Sequence, residues 1–345
     1  MGITYNLKSD FPLTPTLSPQ GRGLGEGCLP EDAAEEFDEP ETIEALREIL
    51  AAEGHEVFLL GGDLTALEKI KRSKIDFVFN IAEGFQGRSR EAHIPGLLEL
   101  AGIPYSGSDP LALALTLDKS LAKRIALSLG IPTPEFWILH GKNDADEIPD
   151  QFPFFVKPLW EGSSKGIRLS SRVEERASLE REIERLFENY SGVPVLVEKY
   201  IPGQEVTAGV VGNDPPEVLG LMEIAFRDPA RKDFCYSLEV KRNWKKEVEY
   251  RLPARLKPAA EKGIREAGLR LFKALGLRDV ARFDFRVDPG GNFFFLEVNP
   301  LPGLSPESGD LVILAQKKGL SYRELILKIV HSALSRYPRL FQEKL

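Results

Sequence analysis

Val280-Ala-Arg-Phe-Asp-Phe-Arg-Val287, Asp288-Pro-Gly-Gly-Asn292 and Phe293-Phe-Phe-Leu-Glu-Val-Asn299 follow one another without a break. The first segment alternates apolar and polar residues, the period of a half-buried strand, and the end of the third does the same. The glycine pair between them, bounded by Asp and Asn, signals a hairpin. A two-residue turn on Gly290-Gly291, or a four-residue loop centred on it, places Asp284 opposite Glu297 and Arg282 opposite Asn299. Two facing carboxylates repel, so a cation belongs between them. Asn299 adds an amide oxygen on the same face, two residues beyond Glu297. Two carboxylates and an amide oxygen suit magnesium, or manganese, with the remaining positions left to water and phosphate oxygens. An ion-pair ladder with Arg286, on the same face, would explain these residues without a metal.

Further features appear on either side. Pro300-Leu-Pro-Gly-Leu-Ser-Pro-Glu-Ser308-Gly309 is a loop of small residues, Pro and Gly, which lets backbone N–H groups and hydroxyls approach a ligand. Upstream, Phe152-Pro-Phe-Phe-Val-Lys157-Pro158 sets one lysine in an otherwise apolar strand; a buried lysine needs an anionic partner, and an anionic ligand is one way to supply it. Trp160-Glu-Gly-Ser-Ser-Lys-Gly166 offers Ser163, Ser164, a lysine and backbone N–H groups, a set suited to closing over phosphates. Backbone groups of Glu198, Lys199 and Ile201 could read an adenine edge, with Glu205 on the ribose. Taken singly, each of these is more often an edge strand or an ordinary turn.

The chain of 345 residues is too long for one ordinary core, and two or three domains are expected. Its net charge of -8 argues against non-specific nucleic-acid binding. Two cysteines, Cys28 and Cys235, form neither a metal motif nor a disulfide framework, which fits a reducing cytoplasm. Neither a membrane span nor a signal peptide is expected. His55, His93, His140 and His331 lack ligand spacing. Expected strands cover 2–7, 57–60, 76–80, 103–105, 136–139, 154–157, 166–169, 195–200, 206–211 and 218–224, besides the hairpin. Expected helices cover 41–53, 94–101, 118–129, 179–189, 256–275 and 322–335. Residues 10–34, rich in Pro and Gly without periodicity, read as a disordered insertion. The stretch Gly21-Arg-Gly-Leu-Gly-Glu-Gly27 lacks the strand, helix and Lys-Ser/Thr that a phosphate loop needs.

The ordered set Asp118-Lys119, Val156-Lys157-Pro158, Glu161-Gly-Ser-Ser164, Glu198-Lys-Tyr-Ile201, Glu205, Arg282-Phe-Asp284 and Glu297-Val-Asn299-Pro-Leu-Pro-Gly303 resembles the ATP-grasp ligases, most nearly the D-alanine–D-alanine ligases. The likeness runs over roughly residues 76–335. It implies an α/β fold: an N-terminal Rossmann-like parallel-sheet domain (1–117), then a two-subdomain ATP-grasp fold, central (118–212) and C-terminal (213–345). It implies ATP and magnesium, small amino-acid substrates, a role in peptidoglycan synthesis, and allows a homodimer. Lys119, Lys157, Ser163 and Ser164 would face the ATP phosphates, and Glu198, Lys199 and Ile201 the adenine. Glu205 would hold the ribose, and Lys241 would reach the γ-phosphate from a lid loop. Asp284, Glu297 and Asn299 would ligate magnesium. Arg282 and the Gly303 N–H would stabilise an oxyanion, Ser163 would stand near the amino acid, and Ser308 would hold the substrate carboxylate.

Three departures fall on the amino-acid side. The family's early Glu-Arg-Glu-Val-Ser loop, whose first Glu grips the substrate amine, is replaced by the insertion and Glu35-Glu36. Its His-Gly motif is replaced by Glu83-Gly84, and the Tyr after its lid lysine by Arg242. Three readings follow: a D-alanine–D-alanine ligase-like enzyme, a ligase for another amino acid or peptide, or a nucleotide-binding protein without activity. Retention of Arg282, Asp284, Glu297 and Asn299 together argues against the last.

Overall fold

The computed structural model describes residues 1–10, 30–228, 230–231 and 235–341. The first unit carries β1 (Gly2–Thr4), α1 (Pro40–Ala52), β2 (Phe58–Leu59), α2 (Leu64–Arg72), β3 (Val78–Asn80), α3 (His93–Leu100) and α4 (Pro110–Leu117). Its three strands are parallel in the order β2-β1-β3. Helix α1 starts on Pro40, whose missing N–H costs nothing at a first turn. It buries Ile43, Leu46 and Leu50 along one stripe. The strand expected at 103–105 shrinks to a single bridge between Val78 and Tyr105. Of the expected insertion, residues 11–29 lie outside the described residues. Residues 31–36 form turns against the rest of the protein, and Asp32 is buried, accepting from Tyr190 Oη (2.5 Å) and Gly166 N–H (2.9 Å).

Helix α5 (Lys119–Ser128) leads into an antiparallel sheet of β4 (Phe136–Leu139), β5 (Phe154–Pro158), β6 (Arg172–Val173) and β7 (Val195–Lys199), ordered β4-β7-β5-β6. Helix α6 (Arg176–Asn189) packs Leu179, Ile183 and Leu186 on this sheet. No strand forms at 166–169. That segment turns instead, because Arg185 on α6 takes the Gly166 carbonyl (2.7 Å) and Arg168 turns to Glu31 (2.6 Å).

The remaining elements are β8 (Gln204–Val211), β9 (Glu217–Phe226), α7 (Leu238–Arg242), α8 (Trp244–Glu247), β10 (Val248–Arg251), α9 (Pro258–Ala274), β11 (Val280–Val287), β12 (Phe293–Asn299), α10 (Asp310–Lys317) and α11 (Tyr322–Ser335). The strands make an antiparallel sheet, β10-β9-β8-β11-β12. This sheet begins at Gln204, so a division of the chain that follows the sheets falls before residue 204 rather than at 213. Helix α9 and part of α5 cover one face over Phe283, Phe285 and Phe295. Helices α10 and α11 cover the other and share a core with α1 of the first unit. Among the described residues no helix is long and apolar enough to cross a membrane.

The hairpin pairs as expected at the polar end: Arg282 faces Asn299 and Asp284 faces Glu297. It reaches that register by another route. Val287 pairs with Phe293, so the connection is the five residues Asp288–Asn292, closed by Asp288 N–H on the Asn292 carbonyl at 2.9 Å. An odd loop alone would set Asp284 against Leu296. A bulge between Phe295 and Glu297 inserts Leu296 as an extra residue and restores the pairing. The bulge is held from outside: Phe295 N–H donates to the Pro132 carbonyl (2.8 Å), and the Phe295 carbonyl accepts from Thr133 Oγ1 (2.7 Å).

Candidate active site

One cavity lies among the three units, with the polar face of β11 and β12 on one wall. Arg282 Nη2 donates to Asp284 Oδ2 at 2.9 Å, Thr207 Oγ1 donates to Oδ1 at 2.7 Å, and Asn299 Nδ2 reaches Oδ2 at 3.1 Å. Burial raises the Asp284 carboxyl above its ordinary range; Arg282 opposes this and facing Glu297 adds to it. Burial works against the Glu297 charge too, but Lys119, Lys157 and Arg282 outweigh it and hold its carboxyl low. Arg286 does not form a ladder with this pair. It turns to the Ile201 carbonyl (3.0 Å), Tyr200 Oη (3.0 Å) and Glu205 (3.4 Å).

Two lysines converge on the carboxylates. Asp118 caps α5 by accepting from Ser120 N–H (3.0 Å) and Leu121 N–H (3.2 Å). The cap sets Lys119 at the first helical position, where Nζ reaches Glu297 at 3.7 Å and the Glu161 carbonyl. Lys157, on β5, is 4% exposed and pairs with Glu198 at 2.8 Å. The anionic partner that a buried lysine needs is therefore a side chain of the protein. Glu198 also pairs with Lys123, one turn beyond Lys119, at 2.8 Å. Burial pushes the Glu198 carboxyl up, but the two lysines outweigh it and hold it at about 2. Burial pulls Lys123 down to about 8. Strand β7 lies between β4 and β5 rather than at an edge. Lys199 N–H and Tyr200 N–H are engaged by the Glu135 and Pro153 carbonyls, and the Lys199 ammonium turns to Gln151. That leaves less free backbone for a purine than expected.

The Glu161–Gly166 loop folds over the cavity. Ser163 and Ser164 both adopt left-handed backbone (φ 51° and 62°), a conformation that non-glycine residues hold mainly at functional sites. The surroundings impose it. Ser164 Oγ donates to the Tyr236 carbonyl (2.8 Å), and Lys241 Nζ on α7 donates to the Ser163 carbonyl (3.2 Å). Gly162 N–H donates to Glu36 at 2.7 Å, and a Cβ at Gly162 would meet that carboxylate at 2.6 Å. Burial lowers the Lys241 ammonium below its ordinary value. Glu205 is raised to about 7, first by burial, then by Asp284, Asp310 and Glu297 against Arg286.

All but two of the side chains expected at the site therefore line this cavity, Gly303 included. The exceptions are Ser308 and Glu35. Ser308 is exposed and bonds to Ser305 Oγ (3.0 Å), because α10 starts two residues later. It is Asp310, at the start of α10, that faces the cavity, 3.5 Å from Arg282 and 3.1 Å from Tyr250 Oη. Glu35 turns to Arg242 (2.6 Å), whereas Glu36 lines the cavity. Sequence reasoning missed Lys123, Asp310 and Arg90; of these only Lys123 carried a signal, its place four residues after Lys119 on the same helix face. The loop lysine expected to face phosphates, Lys165, instead pairs with Glu36 (3.1 Å) and Glu161.

The model of the D-ala D-ala ligase C-terminus matches residues 125–331. A D-alanine–D-alanine ligase of Aquifex aeolicus is 36% identical over 83% of this chain and 91% of its own length. The uncharacterized protein y4sG of Sinorhizobium fredii is 34% identical over 97% of this chain and 94% of its own. Among solved structures, the VanG D-Ala:D-Ser ligase of Enterococcus faecalis superposes with a TM-score of 0.69 at 25% identity, over 96% of this chain and 98% of the other. The ATP complex of the Bacillus anthracis D-alanine–D-alanine ligase gives 0.67 at 23% identity, over 99% and 98%, and bears on the fold alone.

Proposed function

The chain belongs to the D-alanine–D-alanine ligase family, and from that membership we propose that it joins two amino acids through an acyl phosphate, with ATP and magnesium. Membership itself makes it an ATP-dependent ligase. The observation that carries the finer reading is the meeting of Lys119, Lys157, Lys241 and Arg282 with Asp284 and Glu297 in one cavity.

The residues fit a hard divalent cation. Asp284 and Glu297 face each other, and a half-turn of the Asn299 amide brings its oxygen to the same place. Three side-chain oxygens would leave further positions on such an ion for water and nucleotide oxygens. Asp284, Glu297 and Asn299 would hold magnesium or manganese, which when bound offsets charge spreading over the transferred phosphoryl group. Lys119 and Lys157 bind the nucleotide phosphates, and Lys241 approaches from α7. A substrate carboxylate oxygen attacks the γ-phosphorus and ADP departs. The amine of a second amino acid then attacks the acyl carbon and phosphate departs. Arg282 and the Gly303 N–H offset the oxyanion formed between these events. Glu205 serves the ribose and the Glu198–Ile201 strand the base. ATP consumption fits a cytoplasmic enzyme.

Glu83 where the family has His-Gly, and an exposed Ser308, favour a substrate other than D-alanine. Phosphate release from Mg-ATP across D- and L-amino acids tests the reading. Release that depends on an amino acid, with a dipeptide as product, supports it; ATP binding without release from any of them overturns it.

A further inference from the structure

The resemblance assigns the grip on the substrate amine to an early glutamate, Glu35 or Glu36, and both are occupied. Arg90 Nη2 donates to the two Glu36 oxygens at 2.7 and 2.9 Å, Lys165 Nζ to one at 3.1 Å, and Gly162 N–H to the other at 2.7 Å. A carboxylate has about four lone-pair sites, so Glu36 is filled. Glu35 is held by Arg242.

Glu83 and Glu91, in the connection from β3 to α3, also line the cavity. Neither has a hydrogen bond or ion pair to another described residue. Glu91 is 8% exposed, a buried carboxyl without a partner that faces the open space. Beside them Asn80, 4% exposed, has an Nδ2 with no acceptor. Asn80 lines a smaller adjoining cavity together with Glu36, Asp38 and Glu83. The two glutamates are built close together. Gly84 has a left-handed φ of 71°, and a Cβ there would lie 2.4 Å from the Arg90 carbonyl, so only glycine lets the turn after Glu83 pack on the Arg90–Glu91 segment. Four carboxylates, Glu36, Glu83, Glu91 and Glu161, surround two cations, Arg90 and Lys165. Lys119 is a further cation beside Glu91, so carboxylates still outnumber cations along this wall, and a ligand cation would redress the balance. Burial raises Glu91 to about 7, with Arg90 and Lys119 opposing it and Glu36 and Glu161 adding to it; burial, then Glu91 and Glu36, raise Glu83 well above its ordinary value against Arg90.

We propose that Glu83 and Glu91 hold the ammonium group of the amino-acid substrate, while Glu36 has become a pin for the glycine loop. This rests on the ligation reading for the word substrate but is tested by binding. Melting is followed with Mg-AMPPNP and a panel of D- and L-alanine, D-serine, and D- and L-lysine, each beside its N-acetyl derivative. At least one free amino acid stabilises the protein and its N-acetyl form does not. Glu83→Gln and Glu91→Gln each weaken that amino acid about tenfold or more, the range of a lost charged hydrogen bond, with AMPPNP affinity moving less than about twofold on the same scale. Should Glu91→Gln fail to fold, the less buried Glu83→Gln decides. Equal affinity in the variants, equal binding of an N-acetyl form, or no binding by any amino acid overturns the proposal. Amino-acid-dependent phosphate release indifferent to both substitutions sinks it and leaves ligation standing. Binding that depends on Glu83 and Glu91 without phosphate release does the reverse.

Discussion

At single residues, the buried charges sort into those with partners inside the protein and those without. Lys123 is fully buried and supports Lys157 only through Glu198. Replacing it with Met leaves one Glu198 oxygen unpaired, and breaking a buried pair costs about 3–5 kcal/mol. Lys123→Met is therefore expected to lower the melting temperature and to raise KM for ATP, read by calorimetry and steady-state kinetics. Glu297→Gln is expected to keep the fold and abolish turnover, since it removes one of the two carboxylates proposed to hold magnesium while circular dichroism stays native; near-normal activity would overturn that assignment. The acids titrate in opposite senses. Glu198 is held below its ordinary value, at about 2, so its pairing stabilises above pH 4.5 and is lost as pH falls toward 2. Glu91 is raised from 4.5 to about 7, so the unfolded chain releases its proton first and stability drops as pH rises across that window. Glu91→Gln should make the loss between pH 4.5 and 7 shallower in urea titrations, with Glu205 and Asp38, also raised to about 7, keeping the rest; an unchanged profile would place its source wholly elsewhere.

Among the elements, the pairing of the hairpin proposed to hold the metal was readable and its construction was not. Alternation in β11 and the Gly290-Gly291 pair suffice to face Asp284 with Glu297, yet the loop is one residue longer than an even turn and Leu296 cancels the offset. Nothing local marks the bulge, because Phe293-Phe-Phe-Leu296 is apolar throughout; what fixes it is the Pro132–Thr133 segment, distant in the chain. Deleting Leu296 should consequently be tolerated. The ladder would close without a bulge, Asp284 would still face Glu297, and the lost contact would be with the cavity. The expected outcome is a folded protein with weaker ATP binding, measured by titration; an unfolded product would refute this account of the register. Helices α2 and α4 did carry signals, Asp63 and Asp109-Pro110, each Asp accepting from a first-turn N–H. The strand expected at 166–169 failed because contacts from Arg185 and to Glu31 decide that segment, and no window of sequence contains them.

For the whole molecule, the site is made by three units, and residues 31–36 join them. Glu31 reaches Arg168, Asp32 reaches Tyr190 and the Gly166 N–H, Glu35 reaches Arg242 on α7, and Glu36 reaches Arg90, Lys165 and the Gly162 N–H. Glu36→Gln should hasten amide exchange across 162–166 without altering that of the β11–β12 ladder, as followed by mass spectrometry; uniform acceleration would mean a global loss instead. A relative's nucleotide-binding half could not be transplanted onto this first unit by matching sheets alone. Its loop would arrive with basic residues and free N–H groups whose acceptors belong to the other parent. Glu31, Asp32, Glu35 and Glu36, outside every strand and helix, thus set the inheritance unit of the enzyme: glycine loop, α7 and N-terminal turn have to change together, or a hybrid would keep its fold and lose the closed loop over the cavity.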